Sequence, residues 1–102
     1  MKLMTKKIIQ RIPKLYATEK EDAPIVHVKF FAPWNAWTWY ATEFDGKDLF
    51  FGLVNGFERE WGYFRLSELE SVRGPAGLRI ERDRFFTPRP VGQIEDLDPL
   101  AS

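Results

Sequence analysis

The chain of 102 residues contains no cysteine. Its absence excludes disulfide frameworks, cysteine nucleophiles and zinc–thiolate sites together, and suits a reducing compartment. Histidine is nearly absent as well: His27 is the only one. Any Ser-His-Asp arrangement would have to use it, and the surrounding "IVHVKF" carries no nucleophile motif. No glycine-rich phosphate loop is present, since "RGPAG" is a turn without the Lys and Ser/Thr of a P-loop. No apolar run approaches the roughly 20 residues of a membrane span. The N-terminal "MKLMTKKIIQRIPK" lacks the long apolar core and small-residue cleavage site of a signal peptide. Nor is there an excess of one charge. Fifteen basic residues balance fifteen acidic ones, so no global field steers the chain to nucleic acid or anionic membrane. What remains is the expectation of a soluble, cytoplasmic single domain, long enough to bury roughly two thirds of its unfolded surface without a staple.

What the chain does have is aromatic residues, 16% of the total, concentrated between positions 30 and 64. "TKKIIQRIP" predicts a short helix with Thr5 as N-cap, Ile8, Ile9 and Ile12 as its apolar stripe and Pro13 as its end. The polar "ATEKEDAP" predicts a loop. Four β-branched and aromatic segments follow: "IVHVKFFA", "AWTWYATEF", "DLFFGLV" and "FEREWGYFRL". Pro33-Trp34-Asn35, Asp45-Gly46 and Asn55-Gly56 separate them, and the last two dipeptides favour two-residue hairpin turns. "SELESVRG" predicts a helix with a Ser67/Glu70 capping box, stopped at Gly74 or Pro75. "LRIERDRFF" is an extended segment or fifth strand, and "RPVGQIEDLDPLAS" a weak turn leading into an acidic tail. The expected fold class is α+β. It is a four-stranded antiparallel meander, five-stranded if "LRIERDRFF" joins, with short helices packed on one face. The chain divides into a helix and loop (1–24), the meander (25–66), a helix and extended segment (67–90) and the tail (91–102).

Two-residue turns fix a register. They place Phe30 opposite Trp39, Trp39 opposite Gly52 and Phe50 opposite Trp61. Since opposed residues share a face and alternate residues change it, one face collects Val26, Val28, Phe30, Trp37, Trp39, Ala41, Phe50, Val54, Phe57, Trp61 and Tyr63, the expected core. Trp34, in a turn, is expected at the surface. The other face is mixed, with Leu49, Phe51 and Leu53 as an apolar stripe. It also carries His27, Lys29, Phe31, Tyr40, Phe44, Glu58, Glu60 and Phe64. Such a face needs a cover: the chain after Gly74, with "LRIERDRFF" the simplest, a second subunit, or a partner. One misfit attends the two-residue turn, which sets Glu43 against Asp48. A four-residue loop over 45–48 removes it, and a bulge would invert the faces beyond itself.

The stretches "PIVHVKFFAPWNAWTWYATEFDG" and "FFGLVNGFEREWGYFRLSELESVRGPAGLRIERD" resemble a family of small bacterial domains of unknown function. Its members occur on plasmids and integrative and conjugative elements, often near antirestriction genes. The specific part is "WTWYATEFDG" with "GYFRLSELESVRG". The resemblance implies a setting, mobile DNA in a bacterial cytoplasm. It brings no catalytic residue or cofactor with it.

Three functions compete. The first is a non-enzymatic protein-binding module, such as an inhibitor of a host defence system of anti-restriction or anti-CRISPR type. It would use the mixed face, with Phe31, Tyr40, Phe51 and Leu53 as anchors, Trp34 beside them and Lys29 and Glu60 at the rim. The second is a nucleic-acid-binding accessory of DNA transfer, using Arg79, Arg82 and Arg84 with Lys6 and Lys7, if these converge. The third is a small metal-dependent hydrolase or nuclease built on Glu43, Asp45, Asp48 or His27, with Glu58 and Glu60 as a further acid/base pair. "EFDGKD" lacks the calcium-loop spacing, so no catalytic residue, metal ligand or cofactor is assigned. The partner expected first is another protein, with nucleic acid second and no membrane.

Overall fold

The computed structural model describes residues 2–94; most of the expected acidic tail, 95–102, lies outside them. Helix α1 (Lys6–Arg11) starts where Thr5 Oγ1 accepts a hydrogen bond from Ile8 N at 3.2 Å. Ile8 and Ile12 turn inward, while Ile9 stays exposed. Seven strands follow among the described residues: β1 (Ile25–Val26), β2 (Val28–Phe31), β3 (Thr38–Phe44), β4 (Leu49–Asn55), β5 (Arg59–Arg65), β6 (Glu81–Arg82) and β7 (Arg89–Pro90). Helix α2 (Leu66–Ser71) lies between β5 and β6. The main sheet has five antiparallel strands in the order β5-β4-β3-β2-β6, and β1 pairs with β7 in a two-stranded sheet. The α+β class holds, with a fifth strand from "LRIERDRFF" added at the β2 edge rather than a bare four-stranded meander.

The core lies between the sheet and α1 and α2. Val28, Phe30, Ala41, Phe44, Phe50 and Phe64 meet Leu3, Met4, Ile8, Ile12 and Leu69 there. Phe44, Phe50 and Phe64 stack in a row across three strands, with ring centroids 4.4 and 5.1 Å apart. Trp34 belongs to this layer too. It packs against the core, and a Cβ on Gly74 would lie 2.4 Å from its ring, so the turn tryptophan is held rather than displayed.

Strand parity departs from the two-residue turns at three places. The β3–β4 turn is longer, and Phe44 faces Phe50. Asp45 closes it by accepting from the backbone N–H groups of Lys47, Asp48 and Leu49 at 2.8, 2.8 and 3.0 Å. A bulge at Thr42 then shifts the register, so that Ala41, not Trp39, faces Gly52. At the bulge the strands approach closely: a Cβ on Gly52 would sit 2.0 Å from the Tyr40 carbonyl oxygen, which only glycine permits. The longer turn and the bulge each invert the faces once. They cancel beyond the bulge, so Phe30, Trp39, Phe50 and Val54 share the helix-covered side as expected, while Phe44 moves onto it. The β4–β5 turn has no such compensation. Asn55 pairs with Arg59, leaving the three-residue loop Gly56-Phe57-Glu58. That inverts β5: Phe64 enters the core, and Trp61 and Tyr63, expected inside, face outward. Phe57, at the loop tip, is 94% exposed. Val26 also changes side, joining a second cluster with Tyr40, Leu53 and Ile94 after an irregularity at His27.

Helix α2 lacks the expected capping box. Its N-terminus is capped from a distance by Asp48, which accepts from Ser67 N at 2.8 Å and Ser67 Oγ at 2.9 Å.

Candidate functional site

The second face of the main sheet divides in two. Residues Lys29, Tyr40, Leu53 and Trp61 form one row across four strands. Over the middle of that row lie Val26, Phe86, Val91 and Ile94, which bury Tyr40 and Leu53. The cover is therefore the chain from Phe86 to Ile94, and only the end of "LRIERDRFF" contributes. Toward β5 the cover runs out. Trp61 is 45% exposed and Tyr63 52%.

This open half has its own wall. The loop between α1 and β1 folds back over the β3–β5 end of the face, held by one carboxylate. Glu43, beside the bulge, is only 3% exposed. It accepts from Tyr16 N at 2.8 Å, from Thr18 N at 2.9 Å and from Thr18 Oγ1. Three donors on a buried carboxylate satisfy a charge that would otherwise be costly to bury. They also hold Tyr16 at φ +70°, a conformation that bulky side chains rarely adopt. Phe44 N donates to Pro13 O at 2.9 Å and fixes the loop's start.

Between loop and sheet lies a cavity of about 340 Å³. Tyr16, Phe51, Trp61 and Tyr63 form its aromatic walls, and Glu19, Glu21, Asp22 and Glu43 its acidic side. Phe51 stacks on Trp61 at 5.8 Å and meets Tyr63 edge-on at 5.0 Å. A hydrogen bond with the Tyr16 side chain, then desolvation and the negative charge of Glu43 and Glu19, push the Tyr63 hydroxyl above its ordinary pKa.

The residues expected to bind a partner do not form one surface. Phe51 lies at the open cavity. Tyr40 and Leu53 are sealed beneath the C-terminal segment and have no surface to offer. Lys29 Nζ lies 5.7 Å over the Tyr40 ring, on the covered side. Phe31 is half-buried in β2 between Thr38 and Glu81. Trp34 is packed on the core, and Glu60, on the inverted β5, points to the helix side with Val54. Tyr16, Trp61 and Tyr63 were missed, because a three-residue turn reads like a two-residue one and no local signal brings the 13–24 loop to the sheet.

The basic residues converge in part. Arg11, Arg82 and Arg84 line a second cavity of about 230 Å³ with His27 and Asp83. Arg82 Nη1 donates to Lys2 O and Leu3 O, and Arg11 Nη2 to His27 O. Burial, then the Arg11 charge, lowers the pKa of His27. Lys6, Lys7 and Arg79 are exposed and do not line this cavity. The hydrolase residues are dispersed among separate structural tasks: Glu43 holds the loop, Asp45 its own turn, Asp48 the start of α2, and His27 the β1–β2 junction. Among the described residues, no three His, Cys, Asp or Glu side chains form a group able to hold a metal ion. Glu58 and Glu60 lie at the rim of a third cavity with Trp37 and Phe57. No helix among the described residues is long and apolar enough to cross a membrane.

The architecture is thus a helix-backed antiparallel sheet with one aromatic, acidic cavity on its far side. The chain belongs to the family described as Protein of unknown function (DUF2958), whose family model matches residues 3–93. No curated protein and no solved structure matches it.

Proposed function

We propose that the protein is a non-enzymatic protein-binding module of a mobile genetic element, acting as an inhibitor of a host defence system of anti-restriction or anti-CRISPR type. One observation carries the binding role: Trp61 and Tyr63 stand half-exposed on a sheet face whose other half the chain itself buries. Aromatic residues around a concavity are the usual anchors of protein interfaces. The contact surface is therefore Tyr16, Phe51, Trp61 and Tyr63, in place of the sealed Tyr40 and Leu53. The mobile-element setting, and with it the bacterial cytoplasm, rests on the resemblance of "WTWYATEFDG" and "GYFRLSELESVRG" to domains carried by plasmids and integrative elements.

The test is affinity capture from a bacterial lysate that contains defence systems, with wild type beside Trp61→Ala/Tyr63→Ala, each with and without nuclease. A stoichiometric protein that survives nuclease and is lost with the double variant supports the reading. Equal capture by both chains removes the face from it.

A second reading, nucleic-acid binding in DNA transfer, is favoured by the convergence of Arg11, Arg82 and Arg84. It predicts nuclease-sensitive capture and an affinity that falls steeply with salt. Salt-insensitive binding, or none at low salt, would eliminate it.

A further inference from the structure

The protein-contact reading of the open face leaves the partner's chemistry unstated, and the cavity's lining restricts it. Four carboxylates line it and no lysine or arginine does, although the chain as a whole is charge-balanced. Glu43 is occupied with the loop backbone. Glu19, Glu21 and Asp22 lie exposed at the rim and make no ion pair among the described residues. The opposite walls are aromatic, and the faces of aromatic rings carry negative potential. The carboxylates, and any ring face turned to the cavity, therefore favour a cation.

The kind of cation follows from the geometry. A bare divalent ion needs several oxygens on one point, and these carboxylates form no such group. An organic cation needs aromatic faces and a distributed acidic rim. Of the two basic side chains, arginine suits this wall better. Its planar guanidinium stacks on rings while its edge pairs with a carboxylate, whereas the lysine ammonium is a compact, strongly hydrated point charge. At about 340 Å³ the cavity has room for the head and part of its stem.

We propose that the cavity between the 16–24 loop and the Phe51-Trp61-Tyr63 wall receives an arginine side chain of the partner protein. The inference rests on the protein-contact reading above and specifies what that contact recognises. Trp61 and Tyr63 supply the stacking surface, Glu19 and Asp22 the charge, and Glu43 positions the loop that carries them.

The experiment is a nuclear magnetic resonance titration of the full chain, following the Trp61 indole. The probes are acetyl-Gly-Arg-Gly-amide, its citrulline counterpart (the same shape without the charge) and the lysine counterpart. The expected result is a saturable shift at Trp61 with the arginine peptide, at least about five-fold weaker with citrulline and weaker with lysine. Glu19→Gln/Asp22→Asn should weaken the arginine peptide about three- to five-fold, while Glu68→Gln/Glu70→Gln on the distant α2 leaves it unchanged. No shift at Trp61, an equal response to citrulline, or indifference to the Glu19/Asp22 change overturns the proposal; an equal response to lysine overturns the choice of guanidinium. The two readings fail separately. If Trp61→Ala/Tyr63→Ala abolishes capture of a protein but the arginine peptide neither binds nor competes, the contact surface stands and the arginine falls. If neither effect is seen, both fall.

Discussion

Tyr40 and Trp61 occupy the same row of the same sheet face, separated only by Leu53. One is 0% exposed and the other 45%. The next row repeats the gradient from Glu43 at 3% through Phe51 to Tyr63 at 52%. In the first row residue type does not distinguish the two positions, since Tyr40 and Trp61 are both aromatic. What differs is whether the chain returns over them. Phe86 to Ile94 lies over Tyr40 and the loop at Tyr16 and Thr18 over Glu43, and both leave Trp61 and Tyr63 half-exposed. A sheet face is therefore buried or open according to what covers it, and here one face is both.

That contrast can be broken most severely on the sealed side. Tyr40→Ala should cost about 3–5 kcal/mol in denaturant unfolding, because the void lies under a fixed cover. Glu43→Ala should come next. Removing the acceptor of two backbone N–H groups and a hydroxyl should cost about 2–3 kcal/mol. It should also speed amide exchange across 14–22 and abolish the cavity, while leaving exchange in β4 and β5 nearly unchanged. Third is pH. Burial and Arg11 hold His27 below its ordinary 6.5, so the unfolded chain takes up this proton more readily than the folded one. Stability is therefore full above about pH 6.5 and falls as pH drops below it, until the folded value is passed. His27→Gln should flatten that part of the curve. Asp45 is held low because its three backbone N–H donors outweigh the desolvation that raises it. It loses its contribution only in stronger acid, so the two are separable. The smallest effect belongs to the open side. Trp61→Ala should change stability by less than about 1 kcal/mol while removing partner capture. A loss as large as that for Tyr40→Ala would mean that Trp61 is core and the contrast false.

The sequence made the elements visible and their faces only partly so. Thr5 as a helix cap and Phe30 opposite Trp39 were legible because both depend on residues close together. The side of the sheet facing the helices was legible for β3 and β4 only because the longer turn and the Thr42 bulge cancel. In β5 nothing cancels, and Trp61, Tyr63 and Phe64 all fell on the wrong side. Asn55-Gly56 has the composition of a two-residue turn, yet Asn55 remains in the strand. The Ser67/Glu70 pair looked like a self-contained cap, whereas Asp48 performs that role from 19 positions away. The cavity was illegible for a related reason. Glu43 meets Tyr16 across 27 positions, and no spacing rule connects a buried strand carboxylate to a distant polar loop.

The Gly56-Phe57-Glu58 turn separates two kinds of mutation. Phe57, almost fully exposed, should accept many replacements, because the turn needs a residue there more than it needs a side chain. Its loss is another matter. With one residue fewer, β5 would re-pair with opposite parity, drawing Trp61 and Tyr63 toward the helices and expelling Phe64. Length at this position should be held more strictly than identity: homologous chains are expected to diverge freely in the letter at the tip while almost never gaining or dropping one.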